Sequence, residues 1–262
     1  MSYAWPCAVV NWAEIALLFA AGVAGGLTGS VAGLASVATY PALLAVGLPP
    51  VTANVTNTVA LVGNAVGSII GSRPELRGQG PFLLRTVPVA ALGGAIGGVL
   101  LLSTPSEGFE KLVPLLIGFS AVAIVWPRRA RPTLPGEAPP RSRGVLLLLG
   151  GAVLLIAIYG GYFGAAAGVL LLALLLRAGT ASLANANAAK NVMLGASNGV
   201  AAIIFIVMAP VHWPSVIPLA IGCVLGSRLG PVVVRHAPAA PIRWVIGVAG
   251  LALAIKLAFD AY

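Results

Sequence analysis

Two polar runs inside apolar stretches hold the residues of this chain best suited to binding a ligand. The first run covers residues 53–57 (ANVTN) and the second covers residues 184–191 (ANANAAKN). In hydrocarbon, an unpaired amide or ammonium group is costly, so such groups persist where they face a partner, a water-filled cavity or a ligand. We interpret the two runs as two halves of one polar site within a membrane.

Four residues of the first predicted helix lie on one face, because spacings of three, seven and ten residues return to the same side: Asn54, Asn57, Leu61 and Asn64. The second helix has a similar face, formed by Asn187, Lys190, Asn191 and Asn198. Amide donors, helix N-termini and the ammonium of Lys190 together favour an anion with several acceptor oxygens. The predicted binding set is Asn54, Thr56, Asn57, Asn185, Asn187, Lys190 and Asn191, and a path for the anion would add Asn64, Asn198 and Arg228.

Each amide has an alternative role as a hydrogen-bonding contact between helices, with no ligand. Lys190 is different, because it lies about nine residues, roughly 13 Å, beyond the start of its helix and is too deep to extend easily to the interface. We therefore favour a functional role for Lys190. Arg228 lies nearer to the end of its helix, and extension to the interface is the simpler explanation there.

Composition identifies the class of protein. The 262 residues are 59% hydrophobic and 8% charged, against about 25% charged residues in soluble domains. Apolar runs of about 17 to 25 residues predict transmembrane helices. The excess of basic residues lies in short loops, which indicates topology and argues against nucleic-acid binding. The two cysteines and two histidines have no metal-ligand spacing, and no nucleophile pattern occurs. We predict no enzyme activity, no metal and no cofactor.

The predicted architecture is an all-α polytopic bundle of two repeats, 1–127 and 145–262, joined by a basic cytoplasmic linker at 128–144. In the first repeat we predict helices at about 12–30, 51–72 and 81–102, a half-length or broken helix at 34–46, and a fifth helix that continues to residue 126. The first two segments form either a broken pair or a re-entrant hairpin. Three spanning helices follow them in each repeat.

The second half repeats the pattern of the first. Gly29 and Gly33 match Gly164 and Gly168, and the two polar runs also match. Each half has an odd number of crossings, so the second half should be inverted. The basic linker then lies in the cytoplasm and both termini lie outside, in agreement with the positive-inside rule. Inverted repeats are the arrangement of many secondary transporters.

Several short motifs resemble those of the sulfite exporter TauE/SafE family. They are the stretches GGLTGSVAG at 25–33, PALLAVGLPP at 41–50, GGYFGAAAG at 160–168 and PLAIGCVLG at 218–226, together with both polar runs. The resemblance covers nearly the whole chain. It implies a bacterial inner-membrane carrier for small sulfur oxyanions such as sulfite or organosulfonates.

The sequence thus predicts a secondary transporter that moves a small oxyanion by alternating access. The partners expected are an anionic substrate and the lipid bilayer. An anion channel and a ligand-free membrane scaffold remain as alternatives, since the same donors would suit a continuous pore or contacts between helices.

Overall fold

The computed structural model describes residues 11–109, 111–113, 115, 143–178 and 182–236, and single helical positions at 248 and 255. These residues form helices, turns and short connections, with no strand among them, which confirms the predicted all-α class. The helices with defined bounds in this part of the chain are α1 (Trp12–Ala32), α2 (Ala35–Ala45), α3 (Pro50–Gly71), α4 (Arg73–Leu76), α5 (Gly80–Ser103), α6 (Arg143–Tyr162), α7 (Ala167–Arg177), α8 (Leu183–Met208) and α9 (Trp213–His236).

The predicted helix bounds of the first half are confirmed to within two residues for α1, α3 and α5. The short helix α4 lies where a loop was expected. The helix α6 begins at Arg143, so the last two residues assigned to the basic linker are helical. The rest of that linker, the predicted fifth helix beyond residue 115 and nearly all of the chain after 236 lie outside the described residues.

Helices α2 and α7 are half-length, as the sequence predicted for residues 34–46. Each has 11 residues, which at 1.5 Å per residue gives about 16 Å. The hydrocarbon core of a bilayer is about 30 Å thick, so neither helix can cross it alone. A glycine with a positive φ precedes each of them, Gly33 at 78° and Gly164 at 72°. Such a backbone ends the preceding helix and turns the chain sharply.

The long helices and the outer surface are those of a multi-pass membrane protein. Four helices in the described part of the chain, α1, α5, α8 and α9, are long and apolar enough to cross a bilayer. Helix α3 has 22 residues and buries the first polar run. Large apolar side chains point away from the bundle; Leu84, Leu147 and Val207 are each more than three-quarters exposed. Such a surface is stable against lipid.

Glycine residues let the long helices approach one another closely. A Cβ atom added at Gly22 would overlap the backbone of α9 at Leu219, and one added at Gly26 would overlap it at Cys223. The face of α1 that carries these two glycines is therefore a helix-packing surface. Gly97 of α5 lies equally close to the backbone of α6.

The helices of the two halves pack in corresponding pairs. The α1–α9 pair of helices corresponds to the α6–α5 pair. The α3–α9 pair corresponds to the α8–α5 pair, and α3 and α8 also pack on each other. The structure corrects the predicted match of Gly33 with Gly168. Gly33 follows the end of α1, and the glycine that follows the end of α6 is Gly164. Glycines recur every four residues at 160, 164 and 168, so a sequence match can slip by one helical turn. Gly168 instead contacts Gly33 across the halves.

Candidate functional site

Two buried asparagines connect the halves through the ends of the broken helices. The Nδ2 atom of Asn54 on α3 donates to the carbonyl oxygen of Tyr162, the last residue of α6, over 2.9 Å. The Nδ2 atom of Asn187 on α8 donates to the carbonyl oxygen of Ser30, in the last turn of α1, also over 2.9 Å. The last four carbonyls of a helix have no partner within it. The two asparagines therefore cap helix C-termini that belong to the opposite half.

Lys190 acts at the same helix end as Asn187. Its side chain is fully buried, and Nζ donates to the carbonyl oxygens of Gly29 and Ser30, both over 3.1 Å. A cation is favourable at a helix C-terminus, where the helix dipole is negative. Both of these acceptors are neutral carbonyl groups.

Asn57 joins α3 to the short helix α2. Its Oδ1 atom accepts a hydrogen bond from Thr39 over 2.6 Å, and its Nδ2 atom donates to Oγ of Ser36 over 3.1 Å. All three side chains are buried. Because Ser36 uses a lone pair as the acceptor, its own O–H remains available as a donor.

Thr56 and Asn185 contact connecting segments. The Oγ1 atom of Thr56 accepts from the backbone N–H of His212 over 3.1 Å. The backbone N–H of Asn185 donates to Oγ of Ser182 at the start of α8, and its carbonyl oxygen accepts from Nε2 of Gln79, both over 3.1 Å. These two residues of the predicted set thus hold the second turn of α3 and the first turn of α8 against neighbouring segments.

His212 lies in the connection between α8 and α9. Burial lowers its pKa below the ordinary value of 6.5, and the nearby Glu14 carboxylate raises it in part. The Nδ1 atom lies 2.9 Å from Oγ of Ser215. The neutral imidazole is consequently the form favoured by the folded protein at neutral pH.

A cavity lies between the two turn segments and the paired helices α3 and α8. Its volume is about 30 Å³, taken as the space open to the centre of a water-sized sphere, and part of it opens to the surroundings. Both halves of the chain contribute to it, and of the two polar runs only the second reaches it, through Asn191. The residues that line this central cavity are Gly29, Gly33, Ala35, Ser36, Leu61, Asn64, Ala65, Gly164, Ala167, Asn191, Leu194, Gly195 and Asn198.

Two amides in the wall of the central cavity have an atom without a hydrogen-bond partner among the described residues. They are Oδ1 of Asn64 and Nδ2 of Asn191, and both atoms are buried. Asn191 as a whole is only 3% exposed. Buried polar atoms nearly always have a hydrogen-bond partner in folded proteins. Two such atoms without a partner beside a cavity therefore indicate a place for a ligand or water.

The sequence-predicted residues therefore fall into two groups. Asn191, Asn64 and Asn198 line the central cavity. The remaining residues of the predicted binding set make the contacts between helices described above, and Lys190 lies next to the wall through its bond to Gly29. Arg228 is exposed on α9 and does not line the central cavity.

Ser36 lines the central cavity but was not among the predicted site residues. It lies one helical turn after Gly33, where a short helix begins, and this position is the sequence signal that was available. The hydroxyl has a defined role only through its bond with Asn57, and sequence spacing does not reveal that bond.

These features define a multi-pass helical membrane protein with a cavity that residues of both halves of the chain line. The family profile of "Sulfite exporter TauE/SafE" matches residues 17–257, nearly the whole chain. The chain therefore belongs to the TauE/SafE family, whose members are transporters of sulfite and related sulfur anions. Searches of curated proteins and of solved structures gave no match.

Proposed function

We propose that this protein is a secondary transporter that carries a small sulfur oxyanion, such as sulfite or an organosulfonate, through the central cavity. The observation that carries the proposal is Asn191, a buried amide in the cavity wall whose Nδ2 donor has no partner among the described residues. The adjacent Lys190 supplies a positive charge behind the same wall. Oxyanions bind through N–H donors near a cation, and this arrangement provides both.

The residues of the predicted set take different roles in this proposal. Asn191, Asn64 and Asn198 contact the anion directly, and Lys190 attracts it through its charge. Asn54 and Asn187 hold the helix ends that form the cavity, and the rest of the set positions the helices that carry these groups. Arg228, which is exposed, is given no contact with the bound anion.

Inverted repeats and alternating access form the second part of the proposal. The corresponding helix pairs α1–α9 and α6–α5 support a repeat, as do the two half-length helices and their turn glycines. Opening the central cavity alternately to each side would require the halves to move relative to one another. The bonds from Asn54 and Asn187 to the opposite half lie at the boundary where such motion would occur.

We also propose an orientation in the bacterial inner membrane with the basic linker in the cytoplasm and both termini outside. Gly63 packs on Ala220 and Gly71 packs on Arg228, so α3 and α9 run parallel. The C-terminal ends of these helices consequently lie on the same side. The basic residues at or just after these ends, Arg73, Arg77 and Arg235, would all face the cytoplasm, as the positive-inside rule requires.

Counterflow in liposomes tests the transport mechanism. Liposomes that contain the purified protein are loaded with sulfite, and uptake of labelled sulfite is followed from outside. A carrier gives saturable uptake that internal sulfite accelerates. Uptake that does not saturate, together with electrical current without exchange, would support a channel and contradict alternating access.

Thermal stabilisation tests the binding site independently of transport. A ligand that binds the folded state raises its melting temperature. We expect sulfite to stabilise the wild-type protein in detergent and the matched control Arg228→Gln, and to stabilise Asn191→Ala much less. Equal stabilisation of Asn191→Ala and the wild type would remove Asn191 from the site. Absence of stabilisation by sulfite, sulfate, thiosulfate, sulfoacetate and phosphate would favour a ligand-free scaffold.

A further inference from the structure

We infer that alternating access moves two bodies that differ from the sequence halves, because each half has given one helix to the other. The α9 body consists of α1, α2, α3 and α9, and the α5 body consists of α5, α6, α7 and α8. The inference rests on the proposed function and specifies which parts of the protein move.

The pairing of the helices in the described part of the chain is the first observation. Helix α9 belongs to the second half of the sequence, yet it packs chiefly on α1 and α3 of the first half. Helix α5 belongs to the first half, yet it packs on α6 and α8 and, within the described residues, does not pack along α1, α2 or α3. Between the two bodies, the long helices meet mainly where α3 packs on α8.

The second observation is that the exchanged helices contact their bodies backbone to backbone. A Cβ atom added at Gly67 of α3 would overlap the carbonyl group of Val224 on α9, and one added at Gly94 of α5 would overlap that of Ser197 on α8. The glycine contacts of α1 with α9 and of α5 with α6 are of the same kind. Helices packed this closely resist sliding, because packed interiors do not deform continuously. Each exchanged helix should therefore move with the body on which it packs.

The boundary between the bodies contains the central cavity, and both bodies contribute to its wall. Side-chain contacts cross this boundary. Asn54 of α3 bonds to the end of α6, and Asn187 of α8 bonds to the end of α1. The rings of Tyr40 on α2 and Phe163, between α6 and α7, have centroids 5.3 Å apart. Side-chain contacts of this kind can be exchanged while the helix packing within each body is kept.

The turns of the two broken helices touch across the same boundary. A Cβ atom added at Gly33, which follows α1, would overlap the Cα atom of Gly168 near the start of α7. Contact between two turn tips permits one body to rotate on the other. The pair Gly33 and Gly168 is therefore the pivot of the inferred motion.

Cysteine cross-links distinguish the exchanged bodies from the sequence halves. The first pair is Gly98→Cys with Ala201→Cys, which joins α5 to α8 within one body but links the two sequence halves. A Cβ atom at Gly98 lies 3.5 Å from the Cβ atom of Ala201, a separation that suits a disulfide. The second pair is Ala65→Cys with Gly195→Cys, which joins α3 to α8 across the boundary with Cβ atoms 2.9 Å apart.

Both pairs are made in a Cys7→Ser background of the full-length protein, and Cys223 is kept because it is fully buried. Sulfite counterflow in liposomes is measured after oxidation and again after reduction, and loss of free thiols confirms the bridge. We expect oxidation to leave the counterflow of the first pair unchanged. In the second pair it should abolish counterflow, and reduction should restore it. The reduced second pair has the same two side chains in the cavity wall, so a loss that occurs only on oxidation originates in the bond.

The first pair decides between the two divisions of the chain by itself. Loss of counterflow in its oxidised form would overturn the inference, because the sequence halves would then be the moving parts. Full counterflow in the oxidised second pair would also overturn it, since the boundary between α3 and α8 would not move. Absence of counterflow in the wild-type protein would instead contradict the proposed transport function.

Discussion

The substitution Lys190→Met separates the charge of this side chain from its structural contacts. Methionine has a similar length and no charge. Both carbonyl acceptors keep another donor: Gly29 accepts from the backbone N–H of Gly33 over 2.7 Å, and Ser30 accepts from Asn187 over 2.9 Å. Neither carbonyl is therefore left without a donor. We expect the variant to fold.

The loss of anion affinity can be estimated from the structure. The Nζ atom of Lys190 lies 3.1 Å from the carbonyl oxygen of Gly29, and a bound anion would lie about one further van der Waals contact away, about 3.5 Å. The separation is thus about 6 to 7 Å. With an effective dielectric constant of about 20, the attraction is about 2.5 kcal/mol. Its loss corresponds to a decrease in affinity of roughly 70-fold.

The assay is the concentration of sulfite or methanesulfonate that gives half-maximal thermal stabilisation. Arg228→Met is the matched control, because it removes a positive charge from an exposed position on α9. Its anion affinity should stay close to that of the wild type, since Arg228 does not line the central cavity. If Lys190→Met folds, as judged by a cooperative melt without ligand, and binds the anion with wild-type affinity, the role assigned to Lys190 is refuted.

Three further substitutions test the packing and the pH response. Asn187→Ala removes a buried bond between the halves and should lower the melting temperature, in line with a cost of about 1 to 2 kcal/mol; an unchanged melting temperature would contradict the capping role. Gly97→Ala places a Cβ atom against the backbone of α6 and should destabilise the protein, whereas the control Gly199→Ala, which meets nothing within 4 Å, should not; similar melts for the two would argue against close helix packing. The lowered pKa of His212 means that the unfolded chain binds more protons than the folded one, so stability should fall as the pH drops below about 6.5. His212→Gln should reduce this fall, and a variant with the same pH–stability curve as the wild type would exclude His212 as its source.

The sequence predicted the existence and the bounds of the helices well, because each depends on local signals. Continuous apolar runs identified α1 and α5, and Pro49 and Pro50 mark the start of α3. The half-length α2 was predicted from Pro41 and from the turn that follows it. These signals act within a few residues, and no contact with the other half of the chain changes them.

The pairing of the polar side chains could not be predicted in the same way. Sequence spacing placed Asn54, Asn57 and Asn64 on one face of α3, yet only Asn64 lines the central cavity. Asn54 instead caps α6 and Asn57 holds α2. The difference depends on the angle at which each neighbouring helix crosses α3 and on where that helix ends. Neither quantity is encoded in the spacing of residues along α3.

The two groups of polar residues have a common physical origin in the broken helices. A helix that ends within the bundle opens space for a ligand, and it also exposes last carbonyls that need donors from elsewhere. The α1 turn at Gly33 does both, because it borders the central cavity and leaves the carbonyl of Ser30 for Asn187 and Lys190. The side chains that cap the break must therefore lie beside the cavity that the break creates. In the proposed function, Lys190 is thereby held within reach of the cavity without lining it, so that its charge would attract an anion while Asn191, the next residue, would supply a donor to it.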